Sequence, residues 1–359
     1  MRVTIIGAGA IGGLAGAYMT QAGHEVLLVD RWAEHVAAMN RDGLFIDGIR
    51  GEMRIPVAAV TPDRLEGPLE AVLIATKSQH TAEALELVLP RLAPDGFIVS
   101  FQNGFNEPLI AEALTRHGLG GMERVIGSIP NYGGALVDPG HLEFVHEGPI
   151  QLGEMDGRDT PRLRALTAML ASLTTVQLSD NIWGQIWAKE VYFGQIVFTA
   201  LVDAPIHDTL GVERYARVAG AIVREGVGIA AANGITLQPF DFFDPAVYQP
   251  ETPADTRRLL DNINKAIWLL RKDQKPTEHR FRKQGSGMWW DIVYRKRKSE
   301  VEAMQGKLVA YGDATGADTR LNTKLCQMIY EIEEGRRPLG FGNLDEMERY
   351  VAAIGKALP

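Results

Sequence analysis

The chain has 359 residues, with 37 Lys+Arg against 45 Asp+Glu, a formal net charge of −8, 46% hydrophobic and 23% charged residues. That length predicts two domains and that composition an ordinary globular protein, while the negative charge argues against nucleic acid as the main partner. A single cysteine, Cys326, excludes an intrachain disulfide framework and a cysteine-rich zinc site.

No run approaches the roughly twenty apolar residues that span a bilayer. The N-terminus lacks the basic region of a signal peptide. A cytoplasmic protein without a membrane partner is therefore expected.

Arg2-Val3-Thr4-Ile5-Ile6 is a β-branched run long enough for one buried strand. It leads into Gly7-Ala8-Gly9-Ala10-Ile11-Gly12, a GxGxxG turn, and then a helical segment to Ala22 stopped by Gly23. A second strand over Glu25–Val29 ends at Asp30. Gly7 permits the tight turn, Gly9 lets backbone approach a pyrophosphate, and Gly12 lets helix and strand pack closely. The free N–H groups at the helix start suit phosphates. A lone GxGxxG carries little weight. Between a strand and a helix, with an acidic residue at this distance, it predicts a dinucleotide site. Asp30 suits the ribose hydroxyls of NAD and repels the 2′-phosphate of NADP, whereas the adjacent Arg31 is suited to hold that phosphate. Both cofactors stay open, with a slight lean to NAD.

Trp32 to Asn40 reads as a helix, and 44–46 and 53–55 as short strands. The apolar run 71–76 ends in Thr76-Lys77 and suits a parallel strand covered on both faces. A helix over 81–92, a strand over 97–101 ending in Gln102-Asn103-Gly104, a helix over 108–116 and a strand over 124–128 follow. Strands alternating with helices imply a right-handed, mostly parallel sheet. Ligands gather at the carboxyl ends of such strands, so the glycine turn, Asp30, Lys77, Asn103 and Ser128 are expected around one crevice. Glycine-rich β-like segments near Gly133-Gly134 and from His141 to Gly153 close the domain.

Thr160-Pro161 is a helix start, with a hydroxyl N-cap and proline at the first helical position. From there the chain reads as helical, over about 161–173, 181–201, 209–233, 255–272, 286–313 and 320–335, with a final short helix. The expected domains are 1–176 and 177–359. The basic stretch Arg271 to Gln284 reads as an exposed loop or helix tip, a solvated surface segment in preference to a phosphate site.

Ile182, Ile186, Lys189, Phe193 and Val197 share one helical face. A lysine there either snorkels outward or sits in a desolvated site where it serves as a proton donor near neutral pH. Pattern alone favours snorkelling. The eight histidines form no zinc pattern, no GxSxG elbow is present, and Cys326 reads as a small core residue.

The run Asn181-Ile182-x-x-x-x-Trp187-Ala188-Lys189 resembles the lysine motif of the ketopantoate reductases (2-dehydropantoate 2-reductases). The same family's pattern is matched in order by the opening turn, Thr76-Lys77, Gln102-Asn103-Gly104, Pro139-Gly140 and Gly153-Glu154. Ser286-Gly287-Met288-x-x-Asp291, then Ser299-Glu300-Val301-Glu302, Gly306 and Asn322-Thr323, resemble its SSMxxD…TEID…NG series. The resemblance runs to about Glu334. It implies an α/β protein with an N-terminal Rossmann-type doubly wound sheet and a C-terminal all-helical domain like that of 6-phosphogluconate dehydrogenase. It also implies an NAD(P)-dependent oxidoreductase that moves a hydride to the carbon of a 2-oxo acid. By the same resemblance Lys189 donates the proton to the developing alkoxide, and Glu300 organises substrate and lysine. Asn103 lies near nicotinamide and substrate, and Lys77 near the cofactor's ribose and phosphates. Without the resemblance, Glu300 reads as an i,i+4 helical partner of Lys296.

Departures from the family bear on the substrate. The family usually carries asparagines one and two turns after the lysine, where this chain has Phe193 and Val197. Gly287 stands where a substrate-binding serine is usual, and Trp289 and Trp290 follow. Losing two amides and a hydroxyl removes partners for a small hydroxylated acid. Ketopantoate is therefore expected to be a poor substrate, and a bulkier or more apolar carbonyl compound or its alcohol a better one. A homodimer is expected. The alternatives are a true NADPH-dependent 2-dehydropantoate 2-reductase of pantothenate synthesis and a catalytically silent dinucleotide-binding regulator.

Overall fold

The structure, a computed structural model, describes residues 1–240, 243–272 and 286–359. It divides into two compact units, Met1–Trp183 and Gly184–Pro359.

The first unit begins with β1 (Val3–Ile6), α1 (Ala10–Gln21), β2 (Val26–Val29) and α2 (Ala33–Asp42). β3 (Leu44–Gly48), β4 (Met53–Ile55) and β5 (Ala58–Val60) follow. Then come β6 (Leu69–Ile74), α3 (Thr81–Val88), β7 (Leu92–Ser100), α4 (Glu107–Arg116) and β8 (Val125–Pro130). The unit closes with β9 (Gly133–Asp138), β10 (His141–His146), β11 (Ile150–Glu154), α5 (Pro161–Leu170) and β12 (Val176–Leu178).

Eight strands form the main sheet in the order β12-β11-β8-β7-β6-β1-β2-β5. Within it only β8 and β11 pair antiparallel. The central strands are apolar on both sides because both sides are covered. Val3, Ile5, Leu28, Leu73 and Val99 enter one core with α1 and α5. Ile6, Leu27, Val29, Val72, Ile74 and Ile98 enter the other with α3 and α4. From β1 the chain builds to β2 on one side and to β6 on the other, so the point where strand order reverses lies between β1 and β6.

The segments around Gly133 and His141 do not close the main sheet. β9 and β10 join β3 and β4 in a separate sheet of order β4-β3-β10-β9, and only β11 returns to the main one. α1 packs against both sheets. A Cβ on Gly13 would lie 2.7 Å from Leu142 Cδ1 of the small sheet, and one on Gly16 2.5 Å from Leu28 Cδ2 of the large one. β5 and β12, at the two edges of the main sheet, were not anticipated; each is three residues long.

The second unit is helical. α6 (Ile182–Thr199) leads into it, followed by α7 (Ile206–Leu210), α8 (Glu213–Ala232) and α9 (Pro253–Lys272). Of the basic stretch Arg271 to Gln284, the first two residues end α9 and the rest lie outside the described residues. A single turn, α10 (Gly287–Trp289), passes into a π-helical turn over Trp290–Tyr294. A second π turn, Glu302–Gly306, leads into α11 (Lys307–Thr315), α12 (Arg320–Glu333) and α13 (Phe341–Ala353). The expected helix over 286–313 is thus interrupted between Arg295 and Val301, where Lys296 takes φ +47°. The expected 209–233 helix is two, α7 and α8. Among the described residues no helix is long and apolar enough to cross a membrane.

Small residues let these helices approach. Gly226 on α8 faces Val191 of α6 and Leu308 of α11 at 3.1 and 3.4 Å from its notional Cβ. The Glu225 carboxylate accepts from the backbone N–H of Leu321 and Asn322, at 3.0 and 2.8 Å, holding the start of α12. An anion at a helix N-terminus satisfies donors that the helix itself leaves over. Burial nevertheless pushes the Glu225 carboxyl above its usual range, against the pull of those donors.

Candidate active site

The carboxyl ends of β2, β1, β6 and β7 lie level, because Ile6 pairs with Val29 and Ile74, and Ile74 with Ser100. That register sets the turns beginning at Gly7, Asp30, Ala75 and Phe101 side by side. Gly7 has φ +103°, and a Cβ on it would sit 2.9 Å from Thr76 N. A Cβ on Gly12 would lie 2.1 Å from Gly7 O. Gly9 differs from both, since nothing lies within 4 Å of its notional Cβ. It is the N-cap of α1, has no side chain to cap the helix, and no acidic residue occupies the first turn. An open face beside helix N–H groups without a side-chain cap, with no acidic residue in the helix's first turn, fits a pyrophosphate.

Asp30 does more than mark the strand end. Its Oδ2 accepts from Ala8 N and its Oδ1 from Trp32 N, both at 2.9 Å, so the carboxylate ties the glycine turn to β2. Arg31 is exposed, 4.0 Å from Glu83. Sequence reasoning missed His35, which is fully buried on α2. Its Nδ1 accepts from Gly140 N at 2.8 Å, which leaves Nε2 to donate to Ala8 O at 3.0 Å. The imidazole therefore braces the turn from behind.

Thr76, Lys77 and Asn103 stand on the neighbouring turns. A polar cluster joins them: Gln102 Nε2 donates to Thr76 O at 2.8 Å and to Thr81 Oγ1 at 3.0 Å. Ser78 Oγ and Asn106 Nδ2 donate to Asn103 O at 2.5 and 2.7 Å. These bonds lock the two turns together and fix the backbone from which Lys77 and Asn103 project. Ser128 is not part of this group. It lies inside β8, 2% exposed, with Oγ donating to Ser100 O at 2.6 Å. A side chain within a strand faces one side of the sheet rather than its end.

In the second unit, Lys189 is 4% exposed and does not snorkel. Its Nζ lies 3.5 Å from Glu190 Oε1 and 5.3 Å from the centre of the Phe193 ring. Val197 is fully buried in the core, so of the two departures on this face it is Phe193 that meets the lysine. Glu190, 1% exposed, lies off the apolar stripe and was not anticipated. Gln305 Nε2 donates to its carbonyl at 2.7 Å.

Glu300 is 7% exposed and follows the break in the helix. The helical Lys296–Glu300 pair is not formed, because no helix connects the two positions. Arg297 donates from its backbone N–H to Asp291 O at 3.0 Å and from Nη2 to Asp291 Oδ1 at 2.8 Å. Ser299 N and Oγ donate to Glu333 Oε1 at 2.7 and 2.5 Å. The segment before Glu300 is thereby clamped at both ends. Gly287 is exposed with open space at its notional Cβ, and the Trp290 ring stacks on Tyr294 with centroids 4.4 Å apart.

The sequence profile of ketopantoate reductase PanE/ApbA matches residues 3–157, and the profile of its C-terminal part residues 181–333. The 2-dehydropantoate 2-reductase of Pyrococcus abyssi is 28% identical over 351 residues, covering 94% of this chain and 100% of that protein. The PanE/ApbA family ketopantoate reductase structure from Ralstonia eutropha JMP134 superposes with TM-score 0.73 at 25% identity, covering 94% of this chain and 99% of that one. D-mandelate dehydrogenase, solved with NADH and anilino(oxo)acetate, has TM-score 0.75 at 20% identity and the same coverage, a likeness of fold.

Proposed function

The chain belongs to the ketopantoate reductase family, and we propose that it interconverts a 2-oxo acid bearing a bulky, apolar side chain and the corresponding 2-hydroxy acid. Membership makes it a nicotinamide-dependent oxidoreductase acting on a CH–OH group.

The observation that carries the substrate is the Phe193 ring lying against Lys189 Nζ, where the family usually presents an amide. An aromatic face next to the proton donor offers a cation–π contact and apolar surface instead of a hydrogen bond. A substrate with hydroxyl groups gains nothing from it. Gly287, lacking both the hydroxyl and a Cβ, adds room.

Gly7 to Gly12, Asp30, Thr76 and Lys77 would hold the cofactor, which when bound would supply or accept the hydride. Asp30 favours NAD because its carboxylate would repel a 2′-phosphate. Lys189 stabilises negative charge on the carbonyl oxygen as it develops and then gives that oxygen its Nζ proton. In alcohol oxidation it takes the proton back. Asn103 and Glu300 orient the reactants, each on a backbone fixed by the bonds described above.

Lys189→Ala tests the assignment. A positioned general acid contributes roughly 10²–10⁴-fold, so turnover falls by at least that lower factor while NADH binding, followed by its fluorescence, stays unchanged. Turnover within tenfold of the parent would remove Lys189 from the reaction.

A further inference from the structure

Lys189 and Glu190 are consecutive on α6, and consecutive helical side chains diverge by about 100°. Here they converge. Both are buried, at 4% and 1% exposure, with Nζ 3.5 Å from Oε1. Gln305 Nε2 donates to the Glu190 carbonyl, and Gly194, one turn on, brings Ile222 to 3.0 Å of its notional Cβ, so this stretch of helix is held on its inner side.

We propose that Glu190 is the positioning residue of the proton donor: it keeps the Lys189 ammonium charged within the protein and restores its proton after each turnover. This rests on the reading of Lys189 as general acid. A buried ammonium is costly unless an opposite charge accompanies it, and the Glu190 carboxylate supplies that charge where the Phe193 ring supplies only a π face. When the alkoxide takes its proton, an N–H bond of Nζ breaks, an O–H bond forms, and the electron pair stays on nitrogen. The couple passes from net neutral to net −1. A buried carboxylate beside a neutral amine is unfavourable, so a proton from water returns to Nζ. By microscopic reversibility the same coupling acts on both directions, so alcohol oxidation, which needs neutral Lys189, rises over the pH range in which reduction falls.

Among the described residues, several titratable groups on or against α6 make contacts of their own. Tyr192 packs on Phe240 and Phe243, Tyr311 on Trp187, and Tyr248 reaches Gln195 at 3.4 Å. Glu225 is tied to the start of α12, and Glu302 accepts from Tyr330. Glu300 is the remaining buried carboxylate of the reactive set, and it is held by the proposal above for substrate and lysine together.

The test is Glu190→Gln, compared with the parent and with Glu190→Asp. An opposite charge at this range moves a titration by about 1–3 units. In Glu190→Gln the high-pH fall of the reduction rate therefore moves down by about one unit or more, with KM within twofold, and the rise of the oxidation rate moves down with it. Glu190→Asp, which keeps the charge, stays near the parent. Independently of turnover, the Lys189 ¹³Cε signal, assigned by its loss in Lys189→Arg, titrates at lower pH in Glu190→Gln protein without cofactor. An unmoved midpoint in both measurements, or the same shift in Glu190→Asp, overturns the proposal. Full turnover by Lys189→Ala would instead overturn the general-acid reading, while the ¹³C titration still decides whether the two charges are coupled.

Discussion

Gly12 and Gly9 belong to the same motif, yet the structure separates their roles. A methyl group at Gly12 would meet Gly7 O at 2.1 Å, Ala75 Cβ at 2.8 Å and Ile5 Cγ2 at 2.9 Å. An ordinary C···O contact is about 3.3 Å or more, so the turn must move by about an ångström. Overpacking typically costs about 1–3 kcal/mol, and a backbone obstacle that cannot rotate away puts this site at about 3. Alanine's better helix propensity returns about 1 kcal/mol, leaving Gly12→Ala destabilised by about 2. For a unit of this size that is a fall in Tm of about 4–8 °C. Gly9→Ala meets nothing within 4 Å and keeps an extended backbone with φ −69°. Its cost is the weaker alanine N-cap, about 0.5 kcal/mol. Its methyl group fills the open face, so NADH binding weakens by at least tenfold. Thermal unfolding without cofactor and NADH fluorescence titration separate the two effects. Melting of Gly12→Ala within 2 °C of the parent, or parent-like NADH affinity in Gly9→Ala, would refute the reasoning.

His35→Ala leaves Ala8 O and Gly140 N buried without their partner, at about 1–3 kcal/mol each; urea unfolding should show a loss above about 2 kcal/mol, and a loss below 1 would mean the imidazole braces nothing. Arg337 and Lys324 hold the Glu346 carboxyl down to about 2. A depressed carboxyl contributes stability that is present above its unfolded value of about 4.5 and is lost as pH falls through about 2. Glu346→Gln should therefore melt less steeply with acid between those limits, whereas an unchanged slope would deny the linkage. Burial pushes the Cys326 thiol up to about 12. At pH 8 it should react with a thiol reagent only after unfolding; rapid labelling of the native protein would contradict its place in the core.

The first thirty residues were legible because local chemistry dictates them. A β-branched run, three spaced glycines and a terminal aspartate each have a physical use, and the structure places the glycines beside the reversal point of the sheet and Asp30 just past the end of the neighbouring β2. The bracing behind that turn was not legible. His35 and Gly140 are joined only by folding, and a lone histidine on a helix announces no partner. The small sheet was hidden for the same reason, since Phe45 pairs with His141 and no local pattern links them. The break before Glu300 carries no proline or glycine; Arg295 to Lys298 are helix formers, and the Asp291–Arg297 clamp overrides them. Glu190 was missed because stripe analysis sorts residues by face, and this carboxylate is buried off the apolar face beside the lysine. Lys189 stands out by its place on the apolar stripe, but its burial is decided by neighbours that the 3.6-residue period does not reveal.

Substrate class is decided directly by one assay. Initial rates with NADH and with NADPH are measured against ketopantoate and against aromatic and branched 2-oxo acids. The account predicts a higher kcat/KM for the apolar acids, with NADH as the better donor. Ketopantoate reduced as well as or better than those acids would contradict it and, with NADPH preferred, would make the chain a true 2-dehydropantoate 2-reductase.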